Sequence, residues 1–292
     1  MDVLSVAAIL VIVITIALSF MKRFGMTQML IIGNLVIFFI TILSPNQVVL
    51  TDLGFRPIYL QSGDNYYTII TSMFIHSGAA HILFNMLFLF LIGLQLEDRV
   101  GKVKFAAVYF SAGLIGVLVE SMVRWGSPGL IVGASAAISG TMGAMLLLYP
   151  RDRIPMFVLV IFLPSVPVWA AVGSWFGLQV FFAASDPFGA TAYMAHIGGF
   201  FAGMVAAHWL PALKGTKVEK VTAFDVSGLE ALATTPELKD ALEKVRNETQ
   251  PDVKRAWLEY FAAHAKCPNC QGGLELKGNK LKCTCDFEVR AR

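Results

Sequence analysis

Long apolar runs alternate with short polar breaks at roughly 3–20, 28–43, 79–95, 105–123, 130–149, 155–183 and 190–210. Each run is long enough, or nearly so, to carry a helix across about 30 Å of hydrocarbon. A span in lipid must satisfy its own backbone, so the pattern predicts an all-α polytopic membrane protein. The sixth run is too long for one span, and Pro164 and Pro167 divide it. Its helix is expected to start near Pro167, with 154–163 lying along or re-entering the inner face. Beyond Pro211 the runs give way to amphipathic periods. Helices are predicted over Pro236–Asn247, capped by Thr235 with proline in the first turn, and over 251–265, with Trp257, Leu258 and Phe261 on one side.

Composition sharpens this division. Of the 292 residues 56% are hydrophobic and 15% charged, far from a soluble average, yet 14 of the 23 Lys and Arg residues and all four cysteines lie from Ala212 onward. The tail is therefore expected to be a separate water-soluble unit. A formal charge of +3 is too small to point to nucleic acid. Asp2 stands where a signal peptide is positive, and Lys22 and Arg23 follow the first run, which reads as a retained helix with its N-terminus outside. Placing Lys22 and Arg23 in the cytoplasm puts Arg99, Lys102, Lys104, Arg151 and Arg153 there too, together with the tail from Lys214. Only Arg56 and Arg124 then face outward, seven against two within residues 1–211, in line with the positive-inside bias. The expectation is an integral protein of a prokaryotic plasma membrane with a cytoplasmic tail.

Polar groups are costly inside a bilayer, so those embedded in the apolar runs are the functional candidates. His81 and Asn85, in "HSGAAHILFNMLFLF", are four apart on one helix face. Ser135, in "VGASAAISGTMGA", lies a turn or so below the outer end of the fifth run, and His196, in "YMAHIGGFFAG", a turn or so below the outer end of the seventh. All four fall at one depth. A serine hydroxyl needs a base to become a nucleophile, and histidine is the common one, so Ser135 and His196 suit those roles. His81, Asn85 and the Ser135 N–H suit the donors that a tetrahedral oxyanion requires. Neither Glu120 nor Asp186 is placed to orient the histidine, which leaves a dyad. Helix packing competes for the serine stretch, since Ala136, Gly140 and Ala144 recur four apart. His76 is open between anchoring a loop and supporting the site, and Glu97, with Asp98 and Arg99, reads as a charged helix end.

The motifs "HSGAAHILFNMLFLFLIGLQLEDRVG", "GASAAISGTMGAMLLLYP" and "AHIGGFFAG", in that order within about residues 28–211, resemble the rhomboid intramembrane serine proteases. The resemblance implies a six-helix core to which the first run is an addition. It also implies Ser135 as nucleophile, His196 as base, His81 and Asn85 on the oxyanion side, and Gly199 and Gly203 as the face that packs the last helix on the serine helix and its Gly140. The expected partners are the lipid bilayer and transmembrane protein substrates, with no cofactor for catalysis. Ala136 stands where the family usually has glycine, Ser139 where it has an aromatic, and Tyr67 and Thr68 where it often has Trp-Arg. The first two departures support an alternative, a rhomboid-like protein that holds membrane clients without cutting them.

The tail ends in "CPNCQGGLELKGNKLKCTCDFEV", where Cys267 and Cys270 are followed, after twelve intervening residues, by Cys283 and Cys285. With the hairpin "LELKGNKLKC" between the two pairs, the spacing suits a structural four-thiolate Zn²⁺ site in a reducing compartment and resembles a zinc ribbon. The expected divisions are 1–24 for the extra helix, 25–211 for the rhomboid-like core, 212–265 for a helical cytosolic linker region and 266–292 for the ribbon. The tail is expected to meet a cytosolic partner that the sequence does not name.

Overall fold

The computed structural model describes residues 1–158, 161–186, 188–209, 227–248, 251–278 and 280–290, which fall in two compact units, Met1–Thr216 and Lys217–Arg292. In the first unit the apolar runs form helices α1 (Val3–Ser19), α2 (Met26–Leu43), α3 (Ala79–Val100), α4 (Lys102–Val123), α5 (Ser135–Leu148), α6 (Val168–Ser185) and α7 (Tyr193–Trp209). Helices α2, α3, α4 and α6 are long and apolar enough to cross a membrane. The protein is a helical integral membrane protein. A π turn at Leu89–Gly93 interrupts α3, and α1 lies on α2 where Gly33 leaves room for the Thr15 side chain.

Helices α4, α5 and α7 meet backbone to backbone. A methyl group at Gly199 would overlap the Ala136 carbonyl, one at Gly203 would overlap the Gly140 backbone, and one at Gly140 would strike the Ala112 methyl. Lipid tails give helices no hydrophobic reason to associate, so such close approach supplies the packing energy instead.

Four features depart from the sequence pattern. The fifth run is not helical throughout. Residues 130–134 stay outside α5 because Ile131 exchanges backbone hydrogen bonds with Phe55 (2.7 and 3.2 Å) and the Gly133 N–H donates to the Ser72 carbonyl at 2.8 Å. Gly133 has φ +114°, which a side chain rarely adopts and which closes the helix off. Ser135 is thus the first residue of α5 rather than one a turn inside it.

Of the stretch 154–163, expected to run along or re-enter the inner face, residues 154–158 and 161–163 belong to two paired antiparallel strands, β1 (Arg153–Val158) and β2 (Ile161–Pro167). Prolines cannot donate to a strand ladder. Pro155 and Pro164 fall at the irregularity in register between Ile154 and Met156, where no ladder bond is asked of them. Helix α6 then starts at Val168, with Pro167 as its N-cap.

Glu97 is not a solvated helix end. It is buried and accepts the Met26 and Thr27 N–H groups, each at 2.7 Å, so its charge meets the positive end of α2. The connection between α2 and α3 is likewise more built than its polarity implied, with short helices at Val48–Leu53, Tyr59–Ser62 and Thr68–Thr71. The Tyr67 hydroxyl donates to the Asp52 carbonyl at 3.2 Å and the Thr71 hydroxyl to the Leu53 carbonyl at 2.7 Å, which fixes this loop without the family's usual Trp-Arg.

In the second unit, Thr235 caps α8 (Pro236–Asn247) by accepting the Leu238 N–H at 3.3 Å. Helix α9 (Pro251–His264) and strands β3 (Glu275–Lys277), β4 (Lys280–Lys282) and β5 (Glu288–Arg290) follow. β5 adds a third antiparallel strand to the expected hairpin. Leu238, Leu242, Leu258, Phe261 and Leu281 form its core with Cys267. Residues 212–226 of the expected linker lie outside the described residues.

Candidate active site

Ser135 opens α5, so its N–H belongs to the first turn, which has no intrahelical acceptor. Its hydroxyl lies 2.8 Å from Nε2 of His196, the fourth residue of α7. The Ser135–His196 spacing follows from the packing beneath it, because Gly199 and Gly203 set α7 directly on the α5 backbone.

The entry to α7 is held from α4. The fully buried Glu120 carboxylate accepts the Ala195 N–H at 2.9 Å and pairs with Arg124. The Arg124 guanidinium in turn donates to the carbonyls of Gly189 (2.8 Å) and Thr191 (3.3 Å). Glu120 therefore acts on the loop beside His196 and not on its ring.

The ring is held from α6 instead. Oε1 of Gln179 sits 2.7 Å from His196 Nδ1, a contact that a search for carboxylates passes over. Trp175, one turn earlier on α6, lies with its ring centroid 6.3 Å from that of His196, and Tyr193 approaches edge-on at 6.3 Å. The aromatic surface missing at position 139 is thus supplied from another helix. Ser139 is buried, and its hydroxyl donates to the Ser135 carbonyl at 2.7 Å. The methyl of Ala136 points at α4, where a methyl on Gly116 would lie only 2.7 Å from it.

His81 and Asn85 reach the same place from α3. They line, with Ser135, Ser139, Trp175 and His196, a cavity of about 620 Å³. Nδ1 of His81 faces the N–H (3.5 Å) and hydroxyl (3.1 Å) of Ser77, which makes Nε2 the hydrogen-bearing nitrogen. That nitrogen lies against Gly133, where a methyl would approach it to 2.6 Å. Asn85 donates one amide hydrogen to the His81 carbonyl at 2.8 Å, and an NH₂ group carries a second. His76 is buried edge-on to His81, centroids 5.0 Å apart, with Nε2 3.5 Å from the Ala134 N–H. It supports the segment leading into Ser135.

In the second unit the sulfurs of Cys267, Cys270, Cys283 and Cys285 all lie within 4.8 Å of one another. The Cys267–Cys285 and Cys270–Cys283 separations of 3.5 and 3.4 Å exceed the roughly 2.05 Å of a disulfide. They approach the edge of about 3.8 Å that a tetrahedron with metal–sulfur bonds near 2.3 Å requires. The Cys285 backbone N–H, and then the Cys270 thiol, hold the Cys283 thiol down to about 6. The donor set fits a metal ion.

The family model of the Rhomboid domain matches residues 63–212, just over half of the 292-residue chain. The chain belongs to the rhomboid family. Rhomboid proteins are generally intramembrane serine proteases that act on transmembrane substrates, though some are inactive. This rhomboid is 30% identical over 176 residues to Rhomboid-like protease 3 of Toxoplasma gondii, covering 55% of this chain and 57% of that one. It is 30% identical over 164 residues to Rhomboid protease GluP of Bacillus subtilis (strain 168), covering 56% and 30%. With RHOMBOID-like protein 1 of Arabidopsis thaliana it shares 33% identity over 106 residues, 36% of this chain and 27% of that protein. The chain thus spans between about a quarter and somewhat over half of these relatives' lengths.

Replacing Glu120 by Ala strips the partner from a partly buried Arg124 and from the Ala195 N–H, and should cost about 3–5 kcal/mol of stability. Glu120→Gln keeps an acceptor for one of them and should cost less. Thermal unfolding in detergent measures both, and equal, negligible effects would contradict this role for Glu120.

Proposed function

We propose that this rhomboid is an intramembrane serine endopeptidase cleaving transmembrane segments of protein substrates, with Ser135 as nucleophile and His196 as general base. The observation that carries the reading is the 2.8 Å contact between the Ser135 hydroxyl and His196 Nε2, inside a cavity that also presents His81 and Asn85. An amide oxygen only accepts, so the Gln179 contact requires the hydrogen on Nδ1 and leaves the Nε2 lone pair facing the serine O–H.

The steps follow. Ser135 Oγ attacks the scissile carbonyl carbon while its proton passes to His196 Nε2. The oxyanion that forms takes hydrogen bonds from the Ser135 N–H, His81 Nε2–H and Asn85 Nδ2–H, whose residues line the same cavity. As the tetrahedral intermediate collapses, the C–N bond breaks and His196 returns its proton to the leaving amine. Water, deprotonated by the same nitrogen, then attacks the acyl ester; the bond from the acyl carbon to Ser135 Oγ breaks, His196 returns the proton to that oxygen, and the acid product leaves. A helical substrate hides its carbonyls, so the segment must unwind to enter.

The binding-only alternative loses its main supports. The Ala136 methyl faces Gly116 rather than the cavity, and Trp175 and Tyr193 flank His196 in place of an aromatic at 139. We further read residues 1–24 as an addition to a protease core of 25–211. The seven-to-two bias of basic residues supports an external N-terminus and a cytoplasmic tail, 212–265 and 266–292, and we read the membrane as a prokaryotic plasma membrane. The four-thiolate donor set and its size favour Zn²⁺, which would staple a unit too small for a large core, with a cytosolic partner as the tail's target.

Ser135→Ala and His196→Ala should abolish cleavage of a transmembrane substrate in proteoliposomes with little change in thermal stability. Asn85→Ala should slow turnover roughly a hundredfold, and Ser139→Ala should stay active. Full activity of Ser135→Ala would contradict the assignment. For orientation, the four native cysteines are replaced by serine and one reporter cysteine is introduced. An impermeant thiol reagent on intact cells should label it at Asp64 and not at Glu243, and the reverse labelling would invert the topology. Purified full-length protein should carry about one equivalent of zinc by elemental analysis and lose it on Cys267→Ser. Metal-free wild-type protein with a folded tail would refute the metal site.

A further inference from the structure

We propose that Gln179 is the positioning residue of His196, doing with a neutral amide what a carboxylate does in a Ser-His-Asp triad. The inference rests on the protease reading and extends it, since the residues predicted from sequence formed a dyad with nothing to orient its base.

Helix α6 is the least buried of the four helices long and apolar enough to cross a membrane among the described residues. Only Val168, Ala171, Val172 and Ala183 are buried along its eighteen residues, while Trp169, Leu178 and Phe181 are more than half exposed. A glutamine twelve positions into such a helix is costly without a partner. Its partner is Nδ1 of His196, at 2.7 Å. Trp175 and Gln179 are four apart, so one face of α6 presents both a ring surface and an acceptor to the same imidazole. The other nitrogen of that imidazole already holds Ser135 at 2.8 Å, so the three side chains form one chain of hydrogen bonds, Ser135 to His196 to Gln179.

The acceptor selects the tautomer. With the hydrogen held on Nδ1, Nε2 is the nitrogen that can receive the serine proton. Without it, the ring can turn or place its hydrogen on Nε2, where it blocks the transfer. An amide provides this selection without placing a formal charge in an apolar helix, where a carboxylate would be much more costly.

The test compares wild-type protein with Gln179→Leu and Gln179→Glu, reading kcat and KM separately on one transmembrane substrate in proteoliposomes, alongside thermal stability. Leucine keeps the bulk, suits lipid and accepts no hydrogen bond. It should lower kcat roughly tenfold or more while KM and stability hold. Glutamate, which only accepts when ionised, should recover most of the lost rate at a cost in thermal stability. Wild-type kcat in Gln179→Leu would overturn the proposal, as would equal losses in both variants, which would mark Gln179 as packing alone. A wild-type protein that cuts nothing would overturn the protease reading itself, and that result is distinct from a failure confined to Gln179.

Discussion

The approach of α7 to α5 is the constraint on which the site depends. Gly199 rests on the Ala136 carbonyl and Gly203 on the Gly140 backbone, leaving no room for a single methyl at either contact. Helices this close transmit their register directly to the residues a turn above them. That is how a hydroxyl and an imidazole 61 positions apart in the chain arrive 2.8 Å from each other. In lipid, where apolar side chains gain little by meeting one another, interlocked backbones are also the available source of packing energy.

Around that contact, charge is used sparingly and at helix ends. Glu97 closes the start of α2, accepting two backbone N–H groups, and Glu120 the start of α7, accepting one, each at the positive end of a helix. The first anchors the bundle. The second, through Arg124, holds the loop that delivers His196. The polar side chains lining the cavity of about 620 Å³ include no carboxylate, lysine or arginine: they are hydroxyls, the imidazoles of His81 and His196, and the Asn85 amide, with the Gln179 amide behind His196. Such a site is compatible with an apolar surround that would penalise a carboxylate.

The span positions were legible because hydropathy reports burial in lipid directly, and Ser135, His196, His81 and Asn85 stood out as polar residues where polar residues are expensive. The four tail cysteines stood out by spacing. What was not legible depended on contacts between distant segments. The helical run ending at Leu148 begins only at Ser135 because Phe55 and Ser72 capture the segment before it, and no local pattern announces that pairing. Pro155 and Pro164 signalled a break but not a pair of strands. Ser139 looked like a lost aromatic because a sequence comparison runs position by position, whereas the ring that packs on His196 came from Trp175 on another helix. Gln179 carried a faint signal, a lone amide in a lipid-facing helix, and Glu120, rightly set aside as an orienter of His196, gave no sign of its own partners, Arg124 and the Ala195 N–H.

The central claim is that the Ser135 hydroxyl is a nucleophile activated by His196. The most direct measurement is peptide mass mapping of folded, membrane-reconstituted protein after exposure to a fluorophosphonate, with heat-denatured protein as the control. One adduct on Ser135, absent from denatured protein and from His196→Ala, is predicted. An unmodified protein, or an adduct on Ser139 in place of Ser135, would contradict it.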